Sequence, residues 1–166
     1  VAVIDFDVHH GNGTQHLFED RSDVLFISTH EDPNHQFPGT GFSDEQGVGA
    51  GKGYTLNIPM SVGSDDEAFE KVFNKKVLPR LREYQPQFLL ISAGFDAATN
   101  DLLGHLCVST QGFAWMSQQL IQIAGEFCQG RVVSILEGGY EVNSLKQAVA
   151  VHIEALLHAS VPSVNG

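Results

Sequence analysis

The sequence predicts an α/β fold, a parallel sheet with helices on both faces. Three observations carry this. Short apolar runs, rich in β-branched residues and bounded by Gly, Asp or Ser, recur at 1–7, 24–29, 54–59, 88–94 and 132–139. Runs such as "FLLIS" are apolar at every position, which suits strands buried on both faces. Amphipathic helical stretches separate the last three runs, and strand–helix–strand repetition implies right-handed crossovers.

The first helix opens at Ser64-Asp65-Asp66-Glu67, a capping-box pattern, and Phe69, Val72, Phe73, Val77 and Leu81 follow at helical spacing. Pro79 is expected to kink or end it. A second helix carries Phe113, Met116, Leu120, Ala124 and Phe127 on one face. A third, over about 144–158, carries Leu145, Ala148, His152 and Leu156. Residues 30–53 show neither period and are rich in glycine; so long an irregular segment is usually functional or disordered.

The 166 residues suffice for one domain and one core, so 1–166 reads as a single domain. No apolar run approaches the eighteen or so residues of a transmembrane helix, and no signal-type segment opens the chain. The formal net charge of −11 disfavours a phosphate backbone as partner and suits a cationic one. Cys107 and Cys128 read as two thiols in a reducing compartment.

Chemistry-bearing residues gather where strands end. In "VIDFDVHHGNGT" (3–14), Asp5, Asp7 and His9 alternate, so an extended chain would present all three on one face. Two carboxylates together are costly without a cation, and an added imidazole completes a plausible zinc set. The bland alternative, aspartates bonded to backbone N–H groups, fits one Asp better than three spaced ligand types. A further ligand would come from "SAGFDAATNDLLG" (92–104), where Asp96 and Asp101 follow a strand. Either could be structural; Asp101, further out, reaches across more easily. In "LEGGYE" (136–141), Gly138 and Gly139 admit close backbone approach to a ligand. Tyr140 would offer a protonated hydroxyl to a developing oxyanion, or simply be a half-buried core residue. "GNGTQH" (11–16) opens like a dinucleotide-binding loop, but His16 replaces the third glycine and the Asp/His cluster crowds the phosphate position. His16, His152 and His158 read as structural or surface residues; His30, His35 and His105 could line a pocket.

"DFDVHHGNGT", "FPGTG", "SAGFDA" followed by "DLLG", and "LEGGY" resemble, in that order, the zinc-dependent histone deacetylase family. The likeness is closest to its class II branch and to bacterial relatives that include acetylpolyamine amidohydrolases. The resemblance implies an arginase/deacetylase-like, three-layer α/β fold. It implies zinc ligands at Asp7, His9 and Asp101 and a catalytic tyrosine at Tyr140. Asp5 and Asn12 match groups that orient the catalytic histidines. Asp5, Ser28 and Thr29 match ligands of a structural potassium ion. Phe37, in "FPGTG", matches a wall of the tunnel that grips an acyl-lysine stem, with Gly138 and Gly139 beside it. Tyr140 stands where the vertebrate class IIa subgroup has histidine. Leu102 departs from the proline common after the zinc aspartate, which removes no ligand.

The family's adjacent catalytic histidine pair lies upstream of the D-x-D-x-H strand, and His9-His10 is not that pair. The resemblance therefore covers the carboxyl-terminal half to two-thirds of a deacetylase domain, incomplete at the N-terminal side, and little turnover is expected of 1–166 alone. The implied substrates are acetyl-lysine in a histone tail or other protein, or an acetylated polyamine. No nucleic acid or membrane partner is implied. The implied location is the cytoplasm in a bacterium, or nucleus or cytoplasm in a eukaryote. A non-catalytic zinc-binding domain and a two-manganese ureohydrolase are competing readings; the latter needs more bridging carboxylates.

Overall fold

A computed structural model describes residues 1–157. Five parallel strands form one sheet: β1 (Ala2–Asp5), β2 (Leu25–Glu31), β3 (Thr55–Met60), β4 (Leu89–Ala93) and β5 (Val132–Leu136), in spatial order β3-β2-β1-β4-β5. Adjacent strands run in register, with Asp5 beside both Ser28 and Ser92. The strand order reverses between β1 and β4. At such a switch point the crossovers leave in opposite directions and a crevice opens beyond the strands' carboxyl ends.

Alternation sorts the side chains. Ala2, Ile4, Leu25, Ile27, Leu89 and Ile91 face the larger core, which is covered by α2 (Asp66–Val72), α3 (Leu78–Tyr84), α4 (Thr110–Phe127) and α5 (Val142–Leu157). Val3, Val24 and Phe26 face the other side, where Phe18 of α1 (Asn12–Phe18) packs on them. Helices therefore lie on both faces, unevenly. On the α1 side of β5, Val133 and Ile135 are 44% and 54% exposed. Beneath the crevice, Phe95 stacks against Phe6 (centroids 5.9 Å) and Phe113 (5.3 Å). This aromatic cluster supports the two turns that carry the site.

The structure differs from expectation at two helices. Pro79 does not end the helix: α2 passes through a π turn (Phe73–Val77) into α3, and Pro79 sits in that helix's first turn, where its missing N–H is tolerated. The first of these helices is capped by Asp65, whose carboxylate accepts the Ala68 N–H. Residues 12–18, with a glycine inside and another just before, form a helix that the periodicity did not reveal. His158 lies outside the described residues.

Candidate metal centre

The extended conformation of β1 ends at Asp5, and residues 6–9 turn. Asp5, Asp7 and His9 therefore do not share one strand face. Instead the turn presses Asp7 and His9 against the turn after β4. Ligand atoms of Asp7, His9 and Asp96 all lie within 4.8 Å of one another. His9 Nδ1–H donates to Asp7 Oδ1 at 2.9 Å. Asp96 Oδ1 accepts the Val8 N–H at 2.8 Å. Asp96 Oδ2 lies 3.2 Å from His9 Nδ1, yet it is buried without a hydrogen-bond donor, because that proton is aimed at Asp7.

Gly138 forms the back wall. Its N–H donates to Asp7 Oδ2 at 2.8 Å, and a Cβ there would overlap the carboxylates of Asp96 and Asp7. Gly139 has φ +139°, a conformation that favours glycine. These two residues deliver Tyr140 to the rim, 45% exposed, its ring 6.5 Å from the His9 ring. Phe37 stands on the other side of the imidazole at 6.4 Å. Asp7, His9, Phe37, Leu103, Leu136 and Tyr140 are among the residues lining a cavity of about 850 Å³. Its floor is acidic and its rim apolar.

The electrostatics follow from this crowding. Burial pushes Asp96 up, with the Asp7 charge adding to it and His9 opposing. Burial also acts to raise Asp7, but hydrogen bonds from the His9 ring and from the His9 and Gly138 N–H groups hold it below the usual carboxylate range. The hydrogen bond to Asp7 and the neighbouring Asp96 carboxylate push His9 up to about 10. The two carboxylates thus call for a positive charge between them. Burial, with the charges of Asp96, Asp7 and Asp101, raises Tyr140, so its hydroxyl stays a donor at neutral pH.

The second carboxylate of this cluster is Asp96, where the resemblance implied Asp101. Asp101 is turned the other way: its Oδ1 accepts the Leu103 N–H (2.9 Å) and its Oδ2 accepts the N–H groups of Tyr140 (2.7 Å) and Glu141 (3.2 Å). Asp96 is held inward because it lies just past β4 and is pinned by Val8. Asp5 lies outside the cluster. Burial, then the Asp7 charge, raises it well above the usual range, and its Oδ1 accepts the Asp7 N–H. Ser28 and Thr29 sit beside it, with Thr29 Oγ1 donating to the Asp5 carbonyl at 3.4 Å and Ser28 Oγ paired with His30 Nδ1 at 2.8 Å. Asn12 is exposed; its side-chain oxygen accepts the neighbouring Gly13 N–H, and its backbone N–H donates to the His10 carbonyl at 2.8 Å.

His30 does not line the cavity. It is buried, donates Nε2–H to the Gly41 carbonyl at 2.8 Å, and is held down to about 4 by burial. His105 pairs with the buried Glu31 at 2.9 Å. A polar network that the sequence did not announce also emerges. His10 Nδ1 meets Thr40 Oγ1, and its Nε2–H donates to Gln15 Oε1. Gln15 Nε2 in turn donates to Glu45, which caps the Gly41 and Phe42 N–H groups. This network pins the long 30–53 loop against the site. The one sequence signal for it was the loop's length.

Residues 1–156 match the histone deacetylase domain family. The chain belongs to the histone deacetylase family. A probable deacetylase of Archaeoglobus fulgidus is 44% identical over 142 residues, 86% of this chain and 39% of that protein. Histone deacetylase 14, chloroplastic, of Arabidopsis thaliana is 42% identical over 157 residues, 95% of this chain and 37% of that protein. Among solved structures, the HDA15 HD domain superposes with a TM-score of 0.88 at 42% identity, covering 94% of this chain and 44% of that one. An acetylpolyamine aminohydrolase from Burkholderia pseudomallei gives 0.85 at 37% identity, covering 95% and 45%. The chain thus spans well under half the length of these deacetylase relatives, and it shares their arginase/deacetylase fold. Among the described residues, no helix is long and apolar enough to cross a membrane.

Proposed function

We propose that this chain carries the metal-binding and oxyanion-stabilising part of a zinc-dependent deacylase acting on acetyl-lysine in histones or other proteins. The observation that carries the reading is Asp96 Oδ2: a buried carboxylate oxygen without a donor, facing a second carboxylate and an imidazole nitrogen. Such an oxygen wants a cation. The donor set, imidazole nitrogen and carboxylate oxygen, is one that zinc takes.

Asp7, His9 and Asp96 would hold the ion, whereas Asp101, the ligand implied by the resemblance, commits its carboxylate to the N–H groups of Leu103, Tyr140 and Glu141. Zinc, when bound, supplies a Lewis acid that polarises an amide carbonyl and activates water. The other roles belong to the protein. The Tyr140 hydroxyl donates to the carbonyl oxygen as it gains negative charge. Phe37, Leu103 and Leu136 offer apolar surface to a methylene stem. His10 does not serve as the base, since both its ring nitrogens are engaged. In the family's pattern that group comes from the upstream histidine pair. Asp5, Ser28 and Thr29, adjacent on neighbouring strand ends, belong in this reading to a structural potassium site.

An acetylated polyamine is the second substrate class. The similarity to an acetylpolyamine aminohydrolase and the chain's net charge of −11 support it. Titrating zinc into Asp7→Ala, Asp96→Asn and Asp101→Asn tests the ligand set. Loss in Asp7→Ala, with weakened binding in Asp96→Asn and near-native binding in Asp101→Asn, is the expected result. Unchanged binding in Asp7→Ala would refute the site. Competition between an acetyl-lysine peptide and an acetylated polyamine for the loaded chain then ranks the two substrates.

A further inference from the structure

We propose that Asp101 is a positioning residue for Tyr140. Its carboxylate fixes the backbone of the tyrosine's turn.

Oδ2 accepts two N–H groups, from Tyr140 at 2.7 Å and Glu141 at 3.2 Å, from a position 39 residues earlier than Tyr140. Oδ1 accepts one, from Leu103 at 2.9 Å. A carboxylate oxygen has two lone pairs, so Oδ2 is filled and Oδ1 has one left. The turn has a matching brace on its other side, where Asp7 Oδ2 accepts the Gly138 N–H at 2.8 Å. Residues 138–141 are thus hung between the carboxylates of Asp7 and Asp101.

The turn needs such bracing. Gly139 sits at φ +139° and gives the chain little intrinsic preference for this path. Tyr140 itself is 45% exposed, so little packing fixes its side chain. Charge-assisted hydrogen bonds to its backbone are the means left to hold it. The catalytic meaning of this brace rests on the deacylase reading; the brace itself does not.

The test is amide hydrogen exchange by NMR on the metal-free chain, comparing the wild type with Asp101→Ala and Asp101→Asn. Asparagine keeps one acceptor oxygen and turns a donor NH₂ toward the other side. Its carbonyl best serves the pair of N–H groups from Tyr140 and Glu141, leaving Leu103 unserved. Asp101→Ala is expected to speed exchange at Tyr140, Glu141 and Leu103 by about 10- to 100-fold, the worth of bonds to a charged acceptor. Asp101→Asn is expected to speed Leu103 while restoring most protection at Tyr140 and Glu141. Amides of α4 serve as the folding control. Protection retained at Tyr140 and Glu141 in Asp101→Ala would overturn the proposal. So would equal acceleration of all three amides in both variants, because general loosening would then set the rates. A wild type that binds no zinc would refute the deacylase reading, and the metal-free exchange data would still decide the brace.

Discussion

Asp7 Oδ2 accepts the Gly138 N–H at 2.8 Å, joining residues 131 positions apart. One end of the chain thus supplies a carboxylate of the proposed metal site and the other the wall behind it. The wall must be glycine, since a Cβ would overlap the carboxylates of both Asp7 and Asp96. Gly138→Ala is expected to destabilise the chain by about 1–3 kcal/mol through overpacking and to abolish specific zinc binding. Urea melts and a zinc titration check this; native affinity in the variant would contradict the described wall.

The aromatic support beneath the site makes a separate prediction. Phe95 is buried between Phe6 and Phe113, on the turn that carries Asp96. Phe95→Ala is expected to cost about 3–5 kcal/mol. Phe95→Leu should cost less, and a chemical denaturation series distinguishes the two.

The long loop gives a third prediction. Glu45 Oε1 caps the N–H groups of Gly41 (2.8 Å) and Phe42 (2.9 Å), and Oε2 accepts from Gln15 Nε2 (2.6 Å). Glu45→Ala is expected to cost about 1–3 kcal/mol and to expose residues 37–53 to protease. Limited proteolysis mapped by mass spectrometry reads this directly. Wild-type resistance in the variant would show that the loop is held elsewhere.

His152 sets a pH dependence. It is buried between Ser117 and Ser134, and burial lowers its pKa. Ser117 Oγ–H donates to the Phe113 carbonyl, so it must accept Nδ1–H, and Nε2 accepts from Ser134. The folded state therefore favours neutral imidazole. Below the unfolded pKa of about 6.5 the unfolded chain takes up a proton first, so stability falls as pH falls from there. Asp5 and Asp96, raised in the fold, work in the opposite sense, lending stability at low pH that is lost as pH rises. The comparison is therefore of slopes. Between about pH 7.5 and 5.5, spanning that unfolded value, His152→Asn should lose less stability on acidification than the wild type. Equal slopes would contradict a neutral buried His152.

Much of this arrangement was legible in the sequence, for physical reasons. Apolar runs such as "FLLIS" announce strands buried on both faces, and parallel strands bring the segments after their carboxyl ends to one rim. Asp7, His9 and Tyr140 could be gathered that way, and Phe37 through the loop after β2. The choice between Asp96 and Asp101 could not. Both come after β4, and what separates them is which backbone N–H each accepts, Val8 for one and Tyr140 for the other, a long-range matter without period. The alternation through Asp5, Asp7 and His9 misled because the strand stops at Asp5. The His10–Gln15–Glu45 network joins separate segments and left no local signal. Nor did α1, a short helix with Gly13 inside it, which depends on packing Phe18 against the sheet.

The most direct measurement is a calorimetric titration of zinc into the metal-stripped chain and into His9→Ala. Saturable binding near one zinc per chain, lost in the variant, is the predicted result. Absence of binding by the wild type, or equal binding by His9→Ala, would contradict the assignment of this crevice as a metal centre.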